Sequence, residues 1–207
     1  MYLSNRIMHS APEHMGRAVE LVVSLVDKLN DEHGGALQAT VSVGIDPYAL
    51  AICGQWTDLD KYEALQRGEG ISGDARALIQ LAAGMFDAAR TEEQIYRIMV
   101  PGDTDPQPIT IVNTADIVLD RYAEAIGYCV DITTAASQLS MAKVGFGTAL
   151  VGGRGRVMWW HTAPSIAEAA NMIEKLETET MFIDKMHAGN ELFQPGSVNR
   201  RLWRRLN

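Results

Sequence analysis

Residues Met15 to Asp27 read MGRAVELVVSLVD, and residues Leu119 to Asp131 read LDRYAEAIGYCVD. At an offset of 104 residues the two stretches pair Arg17 with Arg121, Glu20 with Glu124, Val26 with Val130 and Asp27 with Asp131. Further on, Gln55-Trp56-Thr57 aligns with Trp160-His161-Thr162 at an offset of 105, and Glu63-Ala64 falls on Glu168-Ala169 in the same register. A repeat of about 100 residues is the length of a small domain rather than a solenoid unit. The expected organisation is two copies of one small fold, over residues 1–104 and 105–207.

Working outward from the first stretch, Ala18, Leu21, Val22, Leu25, Val26 and Leu29 recur at helical spacing and form one apolar face. Pro12 and Glu13 open this helix with Ser10 as its cap, and Gly34-Gly35 stop it. A strand from Tyr2 to Ser10 precedes it. Alternation predicts a strand from Gln38 to Ile45, a turn at Asp46-Pro47, and a strand that puts Leu50, Ile52 and Trp56 on one face. A short helix follows from Thr57-Asp58 to Leu65. A long one is predicted from Asp74 to Ile98, with Leu78, Leu81, Ala82, Met85 and Phe86 inward.

Pro101 to Pro108 (PGDTDPQP) reads as the linker. Beyond it the pattern predicts a strand at Ile109 to Val112 and a helix from Ile117 to Leu139. Strands at Met141 to Leu150 and Arg154 to His161 follow, then a helix from Ser165 to Lys185. From Ala188 the chain reads as irregular up to an Arg-rich tail. There Arg200, Arg201, Arg204 and Arg205 interleave with Leu202, Trp203 and Leu206, as in a short amphipathic helix or docking segment. Each half is therefore β-α-β-β-α, an α+β order of the split βαβ or ferredoxin-like kind.

The bulk composition excludes several classes. A chain of 207 residues with 47% hydrophobic and 21% charged residues is long enough to bury a core. A net charge of -8 argues against a general nucleic-acid binder. The basic tail is expected to pack on the chain's own acidic surface or on a partner subunit. Cys53 and Cys129 lie far apart in apolar runs and read as buried free thiols. No signal-peptide pattern or membrane-length apolar run is present, so a cytoplasmic protein without a membrane partner is expected. No metal-ligand spacing, dinucleotide fingerprint, P-loop or G-x-S-x-G occurs, and the glycines of GFGTALVGGRG read as a hairpin.

A strand ending in Trp, then a polar turn and a helix with an aromatic, is the pattern of AICGQWTDLDKYEAL, residues 51–65. It resembles the dimeric α+β barrel superfamily, which includes the antibiotic-biosynthesis monooxygenases. RVMWWHTAPSIAEAANMI, residues 156–173, looks like a divergent copy. The resemblance implies two ferredoxin-like units whose sheets join into an α+β barrel, here within one chain. It also implies a cofactor-independent monooxygenase that oxidises an aromatic polyketide-type molecule, with no metal and no cofactor. Trp56, Tyr62 and Arg76 match the spacing of that family's aromatic, phenol and guanidinium groups; Ile52 stands where those enzymes carry Asn. In this reading Arg76 stabilises the anion, Tyr62 hydrogen-bonds the substrate, and Trp56 and Ile52 form the wall.

His161 is the repeat equivalent of Trp56 and alternates with Val157 and Trp159 on one strand face. A histidine there is a candidate general base or anion binder, with Trp159 as a second substrate contact. His187 follows a long helix, where some haem-binding members of the superfamily carry an axial ligand. Haem binding through His187, a polyketide cyclase and a non-catalytic binding protein are the alternatives. A homodimer, formed through sheet edges or the basic tail, is the expected assembly alongside the small aromatic substrate.

Overall fold

The computed structural model describes residues 1–35, 37–44, 46–103 and 107–207. The first run of elements is β1 (Tyr2–His9), α1 (Met15–His33), β2 (Gln38–Val43), β3 (Ala49–Trp56), α2 (Leu59–Gln66), α3 (Gly73–Ala83) and β4 (Glu92–Val100). The second is β5 (Ile109–Asp116), α4 (Tyr122–Ser140), β6 (Gly145–Val151), β7 (Arg156–Ala163), α5 (Ile166–Thr178), α6 (Thr180–Ala188) and β8 (Asn199–Arg205). The fold is mixed α+β, with antiparallel strand orders β1-β3-β2 in the first run and β5-β7-β6 in the second. The backbone divides into two compact units, Met1–Ile95 with Arg204–Asn207, and Tyr96–Trp203. The boundary expected between 104 and 105, part of the 101–108 linker, and Ile45 at the end of the predicted second strand lie outside the described residues.

In the first unit β3 is the middle strand, antiparallel to both β1 and β2, with Tyr2 opposite Trp56 and Gln38 opposite Cys53. The apolar stripe of α1 drives its docking: Ala18, Val22, Leu25, Val26 and Leu29 are buried against Met8, Leu37, Ala39, Leu50 and Ala75. Gly34 ends α1 at φ 58°, the left-handed geometry that a helix stop of this kind needs. Two expectations at the start of α1 are corrected. Pro12–His14 forms a separate 3-10 turn, and the Ser10 hydroxyl donates to the Ala11 carbonyl instead of capping a helix.

The helix predicted from Asp74 to Ile98 is also corrected. Ser72 caps α3 by accepting from the Ala75 N–H at 3.2 Å, and α3 ends at Ala83 before Gly84. Residues Glu92 to Val100 form a strand, in which Gln94 and Tyr96 are buried and Arg97 and Met99 are exposed. That period of two was masked by the helical period just upstream. The β-branched and aromatic residues Ile95, Tyr96, Ile98 and Val100 favour the extended state.

In the second unit β7 is the middle strand, antiparallel to β5 and β6; Asn113 lies opposite Trp159, and Ile111 opposite His161. Helix α4 buries Ala125, Cys129, Ile132, Thr133 and Ala136. Ala125 and Cys129 join the cluster of Ala115, Ile117, Phe146, Val157 and Leu192. Ser165 caps α5 by accepting from the Glu168 N–H at 3.1 Å. The helix predicted from Ser165 to Lys185 is broken at Glu179, which is extended (φ -77°, ψ 113°) and separates α5 from α6. No Gly or Pro marks that break, so periodicity alone reads through it.

The basic tail is a strand, β8, rather than a helix. Adjacent strand residues point to opposite faces. Leu202 thus packs on the Ile109, Ile111, Ala163 and Ala169 cluster while Trp203 is buried separately. A local amphipathic pattern is the weaker determinant where a sheet offers backbone partners. Each half of the chain therefore closes with a strand absent from the β-α-β-β-α expectation. Among the described residues no helix is long and apolar enough to cross a membrane.

Candidate functional site

Of the residues singled out in the first half, Trp56, Tyr62 and Ile52 lie together in the first unit. The Trp56 and Tyr62 rings meet edge to face, centroids 5.5 Å apart, and Ile52 and Trp56 pack on the α1 core. Their polar atoms are taken. Trp56 Nε1 donates to Ser4 Oγ at 2.8 Å, and the Tyr62 hydroxyl donates to Glu93. Burial first, and then the Glu93 carboxylate, push the Tyr62 phenol well above its ordinary range, so it stays protonated. Arg76 is exposed at the start of α3 and donates from Nη2 to the Gly68 carbonyl at 3.1 Å. The structure records no contact between Arg76 and this aromatic pair.

The second unit holds a cavity of about 790 Å³ under α5 and α6. The sheet supplies Asn113 and Ala115 from β5, Trp159 and His161 from β7, and Arg200 from β8. These side chains reach one place because of register. Asn113 and Trp159 are cross-strand partners, as are Ile111 and His161, so β5 and β7 present Asn113, Trp159 and His161 on one face. Helix α4 adds Tyr128 and Ile132, and α6 adds Phe182, Ile183 and His187. Phe193, from the segment before β8, meets both Tyr128 (5.9 Å) and Trp159 (6.0 Å) edge to face.

The aromatic wall is held by directed bonds. Trp159 Nε1 donates to Thr133 Oγ1 at 3.0 Å, and the Tyr128 hydroxyl donates to the Lys185 carbonyl at 3.1 Å. Gly189, just past α6, lies against the Tyr128 ring; a Cβ there would fall 2.2 Å from it. Helix α6 buries none of its own residues, and the Tyr128 hydroxyl bond ties its C-terminal end to α4. Burial, with the neighbouring Cys129, pushes the Tyr128 phenol up to about 12. Burial likewise raises the free thiols, Cys53 to about 11 and Cys129 to about 12. Neither thiol is a nucleophile at neutral pH.

His161 is 2% exposed, and its Nε2 is buried without a hydrogen-bond partner among the described residues. An unpaired buried polar atom of this kind is unusual in a folded protein and marks a place where a ligand can bind. Burial, and then the charge of Arg200, hold the imidazole down to about 4, so it is neutral at physiological pH. Arg200 is braced on two sides. Its Nε donates to Asn113 Oδ1 at 2.9 Å, and its Nη1 donates to Glu177 Oε1 at 2.6 Å. His187 is exposed on the cavity wall. Among the described residues no three His, Cys, Asp or Glu side chains come together as a metal site.

Strand alternation alone puts His161 and Trp159 on one face of β7, the face that lines this cavity. Asn113 was missed because the predicted strand stopped at Val112, one residue short. Arg200 was noticed only as part of a basic tail. A period-two reading of residues 199–205 would have placed it on a sheet face.

No family model matches the sequence, and no curated protein matches it. Solved structures do. A provisionally named monooxygenase from Fusobacterium nucleatum superposes with a TM-score of 0.73 at 11% identity, covering 100% of this chain and 92% of that one. An anthrone oxidase-like protein superposes at 0.64 and 13% identity, covering 100% and 92%. A chlorite dismutase from Candidatus Nitrospira defluvii superposes at 0.59 and 11% identity, covering 100% and 90%. This chain shares their fold.

Proposed function

We propose that the chain is a monooxygenase-like enzyme acting, without a bound cofactor, on an aromatic polyketide-type small molecule held in the cavity of the second unit. The observation that carries this reading is the buried, unpartnered Nε2 of His161 in an aromatic cavity beside Arg200. A substrate hydroxyl or enol donates to Nε2 and then passes its proton there. The imidazolium is disfavoured in isolation, but it forms beside the anion it has created, and their attraction in a water-poor cavity offsets its desolvation. The Arg200 guanidinium, held by Asn113 and Glu177, lines the same cavity.

An electron-rich phenolate or enolate reacts with dioxygen at ring carbon. One oxygen atom becomes the new carbonyl, and the other leaves as water with the hydrogen of the oxidised carbon and the proton held on His161. Trp159 and Phe193 flank the ring as edge and face partners. In this reading Trp56, Tyr62 and Ile52 serve the packing of the first unit.

Dioxygen uptake with anthrone and naphthol-type phenols tests the proposal, using metal-free protein. Protein-dependent uptake that falls at least about tenfold in His161→Gln is expected. Saturable quenching of tryptophan fluorescence with no uptake would make the protein a binding protein or a cyclase instead.

His187 favours a second reading, because its imidazole lies on the wall of the same cavity. Were haem bound, His187 would hold it and Tyr128, Phe182 and Phe193 would line it. A bound haem would supply redox chemistry at its iron. A Soret band on haem addition that is lost in His187→Ala would move the function to this reading.

A further inference from the structure

We infer that Glu177 sets the charge specificity of the second unit's cavity. By neutralising Arg200 it lets in uncharged aromatics with a hydroxyl or carbonyl head and disfavours aromatic carboxylates. The inference rests on the proposed site but not on its chemistry.

The charges at the sheet end of the cavity are few. Arg200 contributes a full positive charge, and Glu177 cancels it through the 2.6 Å bond to Nη1. Asn113 occupies Nε, so the guanidinium is held by two partners within the protein. His161 is buried and neutral at physiological pH and adds a polar atom without a charge. Ile132, Ala115, Trp159 and Val198 add apolar lining to the cavity. A carboxylate set against Arg200 meets a guanidinium already paired with Glu177, so less positive charge is left to offset the hydration it loses. A neutral hydroxyl loses less and gains a partner in the free Nε2 of His161. The anion needed for reaction is thus made inside the cavity rather than imported.

The pair is at the cavity mouth, where Glu177 and Arg200 side chains are 57% and 38% exposed. An exposed ion pair is a modest interaction, and Glu177 therefore tunes selection rather than enforcing it. Glu177 is also one residue from the end of α5, ahead of the break at Glu179.

Binding of 2-naphthol and 2-naphthoate, followed by tryptophan quenching, tests the inference. The two share a ring system and differ in head-group charge. The wild-type protein is expected to prefer 2-naphthol by about tenfold. Glu177→Gln should cut that preference at least about threefold by tightening 2-naphthoate, with circular dichroism unchanged. The gain should vanish in the Glu177→Gln/Arg200→Gln double variant. Equal binding of the two by wild type, no binding of either, an unchanged ratio in Glu177→Gln, or a gain that survives in the double variant would each overturn the inference. Dioxygen uptake is scored separately. Selectivity that responds to Glu177 without any uptake removes the monooxygenase reading and leaves this one standing.

Discussion

The indole Nε1 of Trp159 on β7 donates to the hydroxyl of Thr133 on α4 at 3.0 Å, and the same hydroxyl donates to the Cys129 carbonyl at 2.6 Å. Thr133 is fully buried, so one small side chain ties the cavity's aromatic floor to the helix above it. Thr133→Val keeps the shape and leaves the indole N–H unsatisfied. Unfolding in urea should show a loss of about 1–3 kcal/mol, and the tryptophan emission should shift.

His161 predicts a pH dependence. Its folded pKa is lowered to about 4 from an ordinary 6.5, so the unfolded chain binds the proton more tightly. Stability contributed by the neutral, buried ring is complete above about pH 6.5 and is lost as the pH falls toward 4, to an extent of roughly 3 kcal/mol. Urea unfolding of wild type and His161→Gln from pH 4 to 7 checks this. The difference in stability between them should vary with pH inside that window and be flat above it.

Met141 closes α4 at φ 58° and is 88% exposed. Its side chain gains little from packing while its backbone sits in the left-handed region that glycine occupies freely. The corresponding stop of α1 is Gly34, also at φ 58°. Met141→Gly should stabilise the protein by about 0.5–1 kcal/mol in thermal or urea unfolding.

Gly189 allows the Tyr128 ring to lie against the chain just beyond α6. Gly189→Ala places a methyl group inside that contact and should cost about 1–3 kcal/mol. Hydrogen exchange should rise first in residues 180–188, where no side chain is buried.

Much of the helix and strand order was readable because one face of each element is apolar at its own period. The stripe Ala18, Val22, Leu25, Val26 and Leu29 was expected to turn inward and is buried. The strand carrying Val157, Trp159 and His161 was placed within two residues at each end. Errors arose where local pattern and tertiary partner disagree. Residues 92–100 directly follow a helical period and residues 199–205 carry a local amphipathic pattern, yet each is a strand. The break at Glu179 has no local signature at all.

By itself the sequence determined the α+β character, the two similar runs of elements and the alternation that puts His161 beside Trp159, since these follow from side-chain period and backbone preference within short windows. The tertiary structure alone decided that β4 and β8 are strands, because an extended segment is stable only where another strand meets its backbone donors and acceptors. It alone decided which candidate groups are free. Tyr62 is held by Glu93, Arg76 is in solvent, and His161 keeps an open nitrogen in a cavity with Arg200 and Asn113. Those partners lie up to 87 residues apart along the chain, as Asn113 and Arg200 do. No local pattern encodes which polar atoms a folded chain will satisfy and which it will leave for a ligand.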